Sequence, residues 1–362
     1  MTPFFSICIP QYNRTSFLKV AINSFKDQNF SNFELCISDG GSNDGRIDEL
    51  EEFLDQSGLG YRLARSLRNL RYDENLRSAI GLSSGRYVLL MGNDDAFADA
   101  SCLQDLHDTL VAHPATVVAI TNYRELSTGR VYRRMAHTGP LGSGPKAASE
   151  TFRHYSFLSG VVLDGPKSRA AATDRVDGSE MYQMYLGARH VAEGGTFLGI
   201  DRLLIDKDIQ VPGETVDSYR TRQKGPRWSF VERPLPLGRI VATVAAGIEM
   251  GSPSTDNRSI LAQLARQLYV FTYPFWVFEY RRVQSWAFAV GVYRALRPSV
   301  TCCTISLRTG DRLKMWILYL VQGLAAFVIP IAVFDLLRGR LYKLAKPHRK
   351  AGKPRSTETL HG

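Results

Sequence analysis

The first hundred residues alternate between two hydrophobic periods, and this alternation limits the possible folds more than any other feature of the chain. Short apolar runs predict strands, whereas apolar residues three or four apart predict helices. Strands are predicted at residues 4–9, ended by Pro10, and at 33–37, 61–64 and 87–91, with helical faces at 17–25, 47–54 and 76–82 between them. Strands that alternate with helices indicate an α/β fold with a parallel sheet covered on both faces.

Polar residues follow three of the predicted strands. They occupy residues 11–14, 39–44 and 93–95. In an open α/β sheet, the ligand lies in the crevice beyond the carboxyl ends of the strands. The sequence therefore predicts a binding site at one edge of the sheet.

Two of these loops have features of a nucleotide site. Asp39 follows the second strand, where an aspartate can accept hydrogen bonds from a nucleoside, and the two glycines after it allow a sharp turn beside the ligand. The first loop enters a helix, whose N-terminus favours an anion, and Arg14 adds positive charge. Simpler interpretations remain open, since Asp39 can belong to an ordinary turn and Asn13 can cap the helix.

The adjacent carboxylates Asp94 and Asp95 at the tip of the fourth strand are the strongest local signal. Two neighbouring carboxylates repel each other unless something compensates their charge. A hard divalent cation such as Mn²⁺ or Mg²⁺ takes oxygen ligands and can bridge a diphosphate. The alternative is a solvated loop in which Asp95 caps the next helix.

Together these segments resemble the family 2 glycosyltransferases, which have the Rossmann-like GT-A fold. The resemblance covers residues 4–100 well and 150–210 loosely. SICIPQYNR is similar to the first strand and loop of the family, CISDGGSNDG to its second-strand loop, and YVLLMGNDD to its D-x-D site. It implies metal binding by Asp94 and Asp95. Contacts to the nucleotide sugar are expected from Pro10, Tyr12, Asn13, Arg14, Asp39, Asn69, Asn75 and Asn93.

Two positions depart from the family pattern. Arg71 stands where a glycine is usual, and Gly92 stands where the first aspartate of D-x-D is expected. A similar loss is familiar in the branch that resembles abequosyltransferases and other O-antigen sugar transferases. The change at Gly92 weakens the expectation of a carboxylate contact to the ribose, but not that of a metal contact through Asp94.

The general base is predicted in an acidic segment beyond the metal site. The resemblance implies inversion at the anomeric carbon, for which one base suffices. The family usually carries this base near a helix start, and the helix predicted over residues 181–192 follows such a segment. Glu180 is the predicted base and Asp177 the reserve. Acidic residues at helix starts are also ordinary partners of the helix dipole, so a structural role remains open.

Three regions are predicted along the chain. Residues 1–215 form the GT-A catalytic domain, with further strands at 116–123, 131–135 and 157–163. Residues 216–310 form a helical region that is a candidate for the membrane interface. Residues 311–362 combine a hydrophobic, membrane-associated helix with a basic tail.

The C-terminal region predicts contact with a membrane. Residues 315–334 contain Gln322 as the only strongly polar side chain and are long enough to cross a bilayer. Both flanks are basic, and a simple span would place one of them outside, against the usual retention of Lys and Arg in the cytoplasm. With a bend at Pro330, we expect a monotopic or re-entrant segment on the cytoplasmic face of the bacterial inner membrane. A buried helix of a soluble domain is the alternative.

The charge distribution and the cysteines indicate which class of partner and which cellular compartment to expect. The formal net charge is +10, and the residues from Asp335 onward hold eight Lys or Arg and two Asp or Glu. This distribution favours a tail on anionic lipid and disfavours a nucleic-acid partner. Five cysteines without a CxxC pair indicate a reducing compartment. We expect no signal peptide, because no basic segment followed by a long apolar stretch opens the sequence.

The sequence thus predicts an inverting glycosyltransferase that moves a sugar from a nucleotide-sugar donor to a glycan or polyprenyl-diphosphate-linked acceptor. Synthesis of bacterial surface polysaccharide or O-antigen is the setting that the resemblance implies. One alternative is a non-catalytic nucleotide-sugar-binding subunit of a membrane assembly complex. A nucleotidyltransferase is a second alternative, but PQYNR is not the Gly-rich loop with Arg or Lys that such an enzyme is expected to carry after its first strand.

Overall fold

The computed structural model describes residues 2–214, 237–254, 257–283 and 285–345 of the 362-residue chain. Within these ranges the strands are β1 Phe5–Gln11, β2 Phe33–Asp39, β3 Tyr61–Arg65, β4 Tyr87–Leu90, β5 Ala96–Phe97, β6 Thr116–Glu125, β7 Arg130–Tyr132, β8 Gly139–Gly142, β9 Val161–Asp164 and β10 Thr196–Lys207. The helices are α1 Thr15–Lys26, α2 Ile47–Ser57, α3 Arg71–Gly81, α4 Cys102–Ala112, α5 Gly144–Thr151, α6 Gly165–Ala170, α7 Tyr182–Ala192, α8 Ile240–Gly251, α9 Asn257–Gln267, α10 Tyr273–Val283, α11 Trp286–Ala295, α12 Pro298–Thr301, α13 Thr309–Val328 and α14 Ile331–Ala345.

The described strands form one mixed sheet in the order β3-β2-β1-β4-β9-β6-β10-β5, with β7 beside β6 and β8 beside β10. Strands β1 to β4 are parallel, as the alternating pattern predicts. The expectation of a parallel sheet does not extend to the second half, because β9 is antiparallel to both β4 and β6. Consequently β6 runs in the direction of β4, and both strands end at the same edge.

Strand β1 does not end at Pro10 but continues to Gln11, in register with β2. Pairing of β1 with β4 stops at Cys8. Beyond Cys8 the strand therefore has β2 as its only neighbour, and the missing N–H of Pro10 leaves no bond to β4 unmade. The extra residue carries Gln11 to the edge of the sheet.

Helices cover both faces of the sheet. The predicted apolar face of α1 is buried and packs with Ile7 and Ile9 of β1 in one core. Cys8, between them, points to the opposite face and belongs to a second core with α3, α7 and α8. This alternation follows from the two-residue period of a strand. Residues of α10, α11 and α13 belong to the same second core.

Three elements of the second half are shorter than predicted. The strand expected over residues 131–135 ends at Tyr132. The strand expected over residues 157–163 begins only at Val161, because Gly160 before it has φ of +79° and ends the preceding turn. The helix expected over residues 181–192 begins at Tyr182, since Met181 is its N-cap and has φ of −141°, outside the helical region of backbone angles.

The apolar stretch at 315–334 is not one continuous helix. Helix α13 ends at Val328, and α14 begins at Ile331 after a bend of 108°, next to Pro330. Among the described residues, no single helix has the length and hydropathy to cross a membrane, although α13 and the first part of α14 together do. Pro330 lies in the break, where its ring cannot continue the hydrogen-bonded ladder. The predicted boundaries near residues 215 and 310 remain predictions, and the end of the basic tail at 346–362 lies outside the described residues.

Candidate functional site

The loops after β1, β2 and β4 and the start of α3 meet at one edge of the sheet, and we call this region the crevice. Gln11, at the end of β1, joins them. Its backbone carbonyl accepts hydrogen bonds from the Gly40 amide and from Asn75 Nδ2, both at 2.9 Å. Its side-chain oxygen accepts from Asn93 Nδ2 at 2.7 Å. One fully buried residue thus joins the loops after β2 and β4 to helix α3.

Asn13 connects the first loop to the second and does not cap α1. Its side chain forms two hydrogen bonds of 2.7 Å with Asn43, and its amide donates to Ser42 Oγ at 2.8 Å. Helix α1 begins after Arg14 without a side-chain cap. The predicted alternative of a capping Asn13 is therefore wrong. The residue instead holds the loop after β1 against the loop after β2.

Asp39 is the last residue of β2 and is buried beside this pair of loops. Its carboxylate accepts hydrogen bonds from the amide of Ser42, at 3.0 Å, and from the Ser42 hydroxyl. The turn that brings Ser42 back to Asp39 requires a glycine at 41, where φ is +81° and a Cβ would lie 2.4 Å from the Arg68 carbonyl. The local sequence therefore holds an oriented carboxylate at the edge of the sheet.

Asp94 follows β4 and forms an ion pair with Arg14, which comes from the loop after β1. Its side chain is 19% exposed. Burial raises the pKa of Asp94, and the Arg14 guanidinium acts in the opposite direction. The structure thus joins two predicted site residues that are 80 positions apart.

Asp95 is buried, and its carboxyl group is held by contacts within the protein. Its carboxyl group accepts hydrogen bonds from the Ser159 hydroxyl and, at 3.1 Å, from the Asp208 amide. Burial and the neighbouring Asp94 raise the pKa of Asp95 to about 8. These contacts tie the loop after β4 to the start of β9 and the end of β10, rather than capping a helix.

Helix α3 fixes the start of α7, where Glu180 lies. The buried carboxylate of Asp73 accepts from the amides of Glu180, at 2.8 Å, and Tyr182, at 3.1 Å. Two residues further along α3, Asn75 bonds to Gln11. The half-buried Glu180 is consequently held to the same helix that lines the crevice.

Asp177, the reserve candidate for the base, forms a two-pronged ion pair with Arg77 of α3, whose Nη2 lies 2.8 Å from Oδ2. Its carbonyl also accepts from Arg239, just before α8. Both its carboxylate oxygens are engaged by a guanidinium. This geometry connects the segment of Asp177 to α3 and to the start of α8, and the role of Asp177 as the reserve base remains a prediction.

Backbone strain is concentrated at the same segments. Four non-glycine residues in the described ranges have positive φ, namely Asn13, Arg71, Glu180 and Asp208. Asn13 lies in the first predicted loop, the Asp208 amide donates to Asp95, and Arg71 and Glu180 lie at the starts of α3 and α7. Such strain is frequent at functional sites. Arg71, with φ of +57°, explains the departure noted above: glycine suits this backbone conformation, and the arginine adopts it at a cost.

Not all predicted contact residues converge. Asn69 is exposed, and its side chain accepts a hydrogen bond from the Arg71 amide at 2.8 Å. Tyr12 is 38% exposed at the mouth of the crevice, and Pro10 lies within β1 opposite Ser38. All the predicted ligand contacts, including these three, remain predictions.

Sequence reasoning did not select Gln11, Asp73 or Ser159, which organise the site. Gln11 lies inside the segment SICIPQYNR, and Asp73 lies between the predicted contacts Asn69 and Asn75, so their positions were a usable signal. Nothing in the local sequence around Ser159 marks it, because its role depends on β9 lying beside β4.

A divalent cation fits the oxygen chemistry of the Asp94 position. In the described ranges, no group of three or more His, Cys, Asp or Glu side chains is arranged to hold a metal. Mg²⁺ is typically bound through one or two carboxylates together with substrate phosphates and water. The cationic Arg14 beside Asp94 shows that this carboxylate accepts a positive partner in the crevice.

The chain is similar to known sugar transferases. Residues 6–165 match the model of Glycosyl transferase family 2. The abequosyltransferase RfbV of Salmonella typhimurium is 35% identical over 98 residues, which are 26% of this chain and 29% of that protein. A PGL/p-HBAD biosynthesis glycosyltransferase of Mycobacterium tuberculosis is 32% identical over 101 residues, 28% of this chain and 39% of the relative. The matched region thus spans less than half the length of these relatives.

The same fold occurs in solved structures. S. aureus TarS 1-349 superposes with a TM-score of 0.58 at 14% identity, covering 94% of this chain and 92% of TarS. A second structure of TarS 1-349, in complex with UDP-GlcNAc, gives the same TM-score at 15% identity. The similarity includes the helical C-terminal region and, at this identity, bears on the fold alone.

Proposed function

We propose that this chain, which belongs to the family 2 glycosyltransferases, transfers one sugar with inversion from a nucleotide-sugar donor to a carbohydrate acceptor. The matched region covers a minor part of the curated relatives, so the activity is argued from this site. Among the described residues, two polar side-chain atoms where β1 meets α3 lack a hydrogen-bond partner. Gln11 Nε2 and Asn75 Oδ1 are buried and have no hydrogen-bond partner in the described structure. Such atoms are costly unless a ligand or water satisfies them, and this observation carries the proposal.

The donor would lie across the ends of β2, β1 and β4. The nucleoside faces Asp39, whose oriented carboxylate accepts hydrogen bonds from base or ribose N–H and O–H groups. The diphosphate faces Asp94 and Arg14 at the end of β4. A divalent cation held there by Asp94 would neutralise the charge that develops on the leaving diphosphate. Arg14, on the loop after β1, would donate its N–H groups to phosphate oxygens of the donor.

Asp95 has a different part in this proposal. Its buried carboxyl group is engaged by Ser159 and the Asp208 amide, so it positions the loop that carries Asp94. We assign Asp94, and not Asp95, as the ligand that faces the donor.

We propose Glu180 as the general base. It would accept the proton of the acceptor hydroxyl as that oxygen attacks the anomeric carbon and the nucleoside diphosphate leaves. The support is its attachment to α3 through Asp73, together with its strained backbone. The ion pair with Arg77 argues against Asp177 in this role.

The acceptor proposal is narrower than the family assignment. The abequosyltransferase relative suggests O-antigen or a related surface polysaccharide as the setting. Such glycans grow on a polyprenyl diphosphate carrier, in line with the sequence prediction.

The proposed activity is tested with the purified full chain and a panel of nucleotide sugars, with and without Mn²⁺ or Mg²⁺. We expect slow, metal-dependent hydrolysis of one donor, with release of the nucleoside diphosphate. Tight binding of a donor without any turnover would support the alternative of a non-catalytic subunit. Release of pyrophosphate from a nucleoside triphosphate and a sugar phosphate would indicate a nucleotidyltransferase.

The outer surface of the C-terminal helices supports membrane association. One face of α13 is buried through Met315, Tyr319, Gly323 and Ala326. The opposite face, which we call the apolar face, is 52–69% exposed at Leu313, Ile317, Leu320, Val321, Leu324 and Val328. Exposed apolar residues continue onto α14 at Val333, Leu336 and Leu337. A helix that is apolar on both sides needs a second partner for its outer face.

We propose that anionic lipid on the cytoplasmic side of the membrane covers the apolar face. Arg308, Arg312 and Lys314 are exposed before it, and Arg340 is exposed beyond it. Arg340 is one of eight Lys or Arg from Asp335 to the end, against two acidic residues. Positive charge at both ends attracts an anionic surface and opposes pairing with a second copy of the same face. The bend between α13 and α14 lets both helices lie in the plane of the interface.

Sedimentation with lipid vesicles tests this interface. The wild type should bind vesicles that contain phosphatidylglycerol, and added salt should weaken binding. Replacing Leu320 and Leu324 together by glutamine should weaken binding about tenfold or more, because each leucine loses its transfer into lipid. Val111→Gln, at an exposed position of α4, is the matched control. Unchanged binding of the double variant, or a wild-type dimer that only this variant dissociates, would contradict the proposal.

A further inference from the structure

Arg134 carries a positive charge at the edge of the site with no carboxylate to balance it. Within the described structure it forms no ion pair, whereas Arg14, Arg77 and Arg124 each bond to an aspartate. Burial lowers the pKa of Arg134 to about 10. A cation that is partly shielded from water is unfavourable unless something compensates its charge.

Main-chain carbonyls hold the guanidinium of Arg134 in place. Nε donates to the Thr121 carbonyl at 2.6 Å, Nη1 to His154 at 3.2 Å and Nη2 to Ser159 at 3.4 Å. Arginine has five N–H donors, so these bonds leave two for a ligand. Carbonyl groups orient the side chain but bring no negative charge.

Two aromatic rings complete the setting. The guanidinium carbon lies 5.2 Å from the ring centre of Tyr123 and 5.8 Å from that of Phe157. The two rings contact each other at 4.3 Å, and all three side chains are half-buried. The guanidinium is therefore preorganised in surroundings where its interaction with an anion is stronger than in water.

Arg134 is connected directly to the loop that carries Asp94. Ser159, whose carbonyl accepts from Arg134, donates its hydroxyl to Asp95 and accepts the Gly92 amide at 2.8 Å. The unassigned cation therefore lies beside the proposed reaction site.

The sheet order assigns this cation to the acceptor side. The donor proposal uses the ends of β2, β1 and β4, whereas Arg134 lies by β6 and the start of β9. Strands are about 4.8 Å apart, so β6 lies roughly 10 Å beyond β4, on the side opposite to β2. A donor whose nucleoside contacts Asp39 points its sugar towards Arg134.

The geometry points to Arg134 as the binding residue for an oxyanion on the acceptor, a phosphate or carboxylate attached to the acceptor sugar. This inference rests on the proposed sugar transfer, and it specifies the class of acceptor. A phosphate is the group that links a sugar to a lipid carrier, and a carboxylate is the group of an acidic sugar. A neutral acceptor sugar would leave the Arg134 charge uncompensated.

Ligand-observed NMR on the full chain, saturated with UDP to occupy the donor diphosphate position, tests the inference. The probes are glucose 1-phosphate, methyl glucuronoside and neutral methyl glucoside. We expect one of the two anionic probes to bind at least tenfold more tightly than the neutral probe. Which of them binds identifies phosphate or carboxylate as the source of the oxyanion. Equal binding of all three, or loss of all binding on addition of UDP, would overturn the assignment.

Two variants locate the binding. Arg134→Gln should reduce the affinity of the preferred anion at least tenfold and leave that of UDP unchanged. Arg130→Gln removes an exposed cation from the neighbouring strand β7 and should have no effect. Equal losses in both variants would show general charge attraction and refute a specific site. If Arg134→Gln does not fold, Arg134→Lys is the deciding variant, because it keeps the charge but not the planar guanidinium. Its affinity for the anion should fall while UDP binding persists. Unchanged anion affinity would refute the role of Arg134. None of these binding measurements requires turnover. A failure of the proposed sugar transfer can therefore be distinguished from a failure of the Arg134 assignment.

Discussion

The crevice at the sheet edge buries polar side chains, whereas the apolar face of α13 exposes hydrophobic ones. In the crevice, the polar residues Gln11, Asp39 and Asn75 are at most 4% exposed. On α13, Leu320 and Leu324 are more than half exposed. Buried polar groups and exposed apolar groups each cost free energy unless a partner is supplied. The difference between the two regions therefore indicates two kinds of partner, a polar ligand in one and a lipid surface in the other.

The largest effect is expected at Asp94. Asp94→Ala should reduce turnover by about 100- to 1000-fold, because the charge on the leaving diphosphate loses its stabilisation. The protein should stay folded, although the thermal unfolding midpoint should fall, because Arg14 loses its ion-pair partner. Asp44→Ala, on the exposed part of the second loop, is the control for charge. Activity that survives in Asp94→Ala, or that is indifferent to a chelator, would remove the proposed metal role.

A smaller effect on catalysis separates Glu180 from Asp177. Glu180→Gln should reduce transfer roughly 100-fold while donor affinity is kept, because proton acceptance is lost and the shape is conserved. Asp177→Asn should instead lower the unfolding midpoint, because it breaks the ion pair with Arg77. Steady-state transfer and thermal unfolding of both variants check this division. A larger loss of transfer in Asp177→Asn would reverse the assignment.

In the C-terminal region, substitutions at two glycines compare the stability of a closely packed position on the inner side of α13 with that of an open position on α11. Gly323 packs so closely that a Cβ would lie 2.3 Å from the Tyr293 ring, whereas Gly291 of α11 has nothing within 4 Å. Gly323→Ala should cost about 1–3 kcal/mol through overpacking. Gly291→Ala should stabilise α11 by about 0.5–1 kcal/mol. Denaturant unfolding measures both, and equal effects would mean that α13 does not dock on this face.

The smallest effect is expected at Arg71, where two substitutions measure how much the backbone strain costs in stability. Arg71→Gly should stabilise the protein by about 1 kcal/mol, because glycine adopts positive φ without a steric penalty. Arg71→Ala keeps the Cβ and should bring no such gain. Equal stability of the two variants would show that the backbone of Arg71 is not strained.

The first half of the fold was predictable because its signals are local. Apolar runs and helical faces identify β1 to β4 and α1 to α3, and polar residues at strand ends identify Asp39 and Asp94. The antiparallel placement of β9 was not predictable, since strand pairing depends on long-range packing and not on periodicity.

The parts of the site that sequence reasoning missed have non-local causes. Whether Asp94 or Asp95 faces the crevice depends on Ser159 and Asp208, which lie 64 and 113 residues from Asp95. The bend after α13 was expected at Pro330 from the chemistry of proline, whereas the side of α13 that remains exposed depends on packing by Tyr273 and Tyr293.

The central claim is that the crevice beside Asp39 binds a nucleoside diphosphate, and calorimetric titration tests it most directly. UDP and GDP are titrated into the wild type and into Asp39→Ala, with Asp48→Ala on the exposed side of α2 as the control. We expect one nucleotide to bind the wild type and the control equally, and Asp39→Ala to bind it at least tenfold more weakly. Equal affinity for Asp39→Ala, or no binding of either nucleotide to the wild type, would contradict the account.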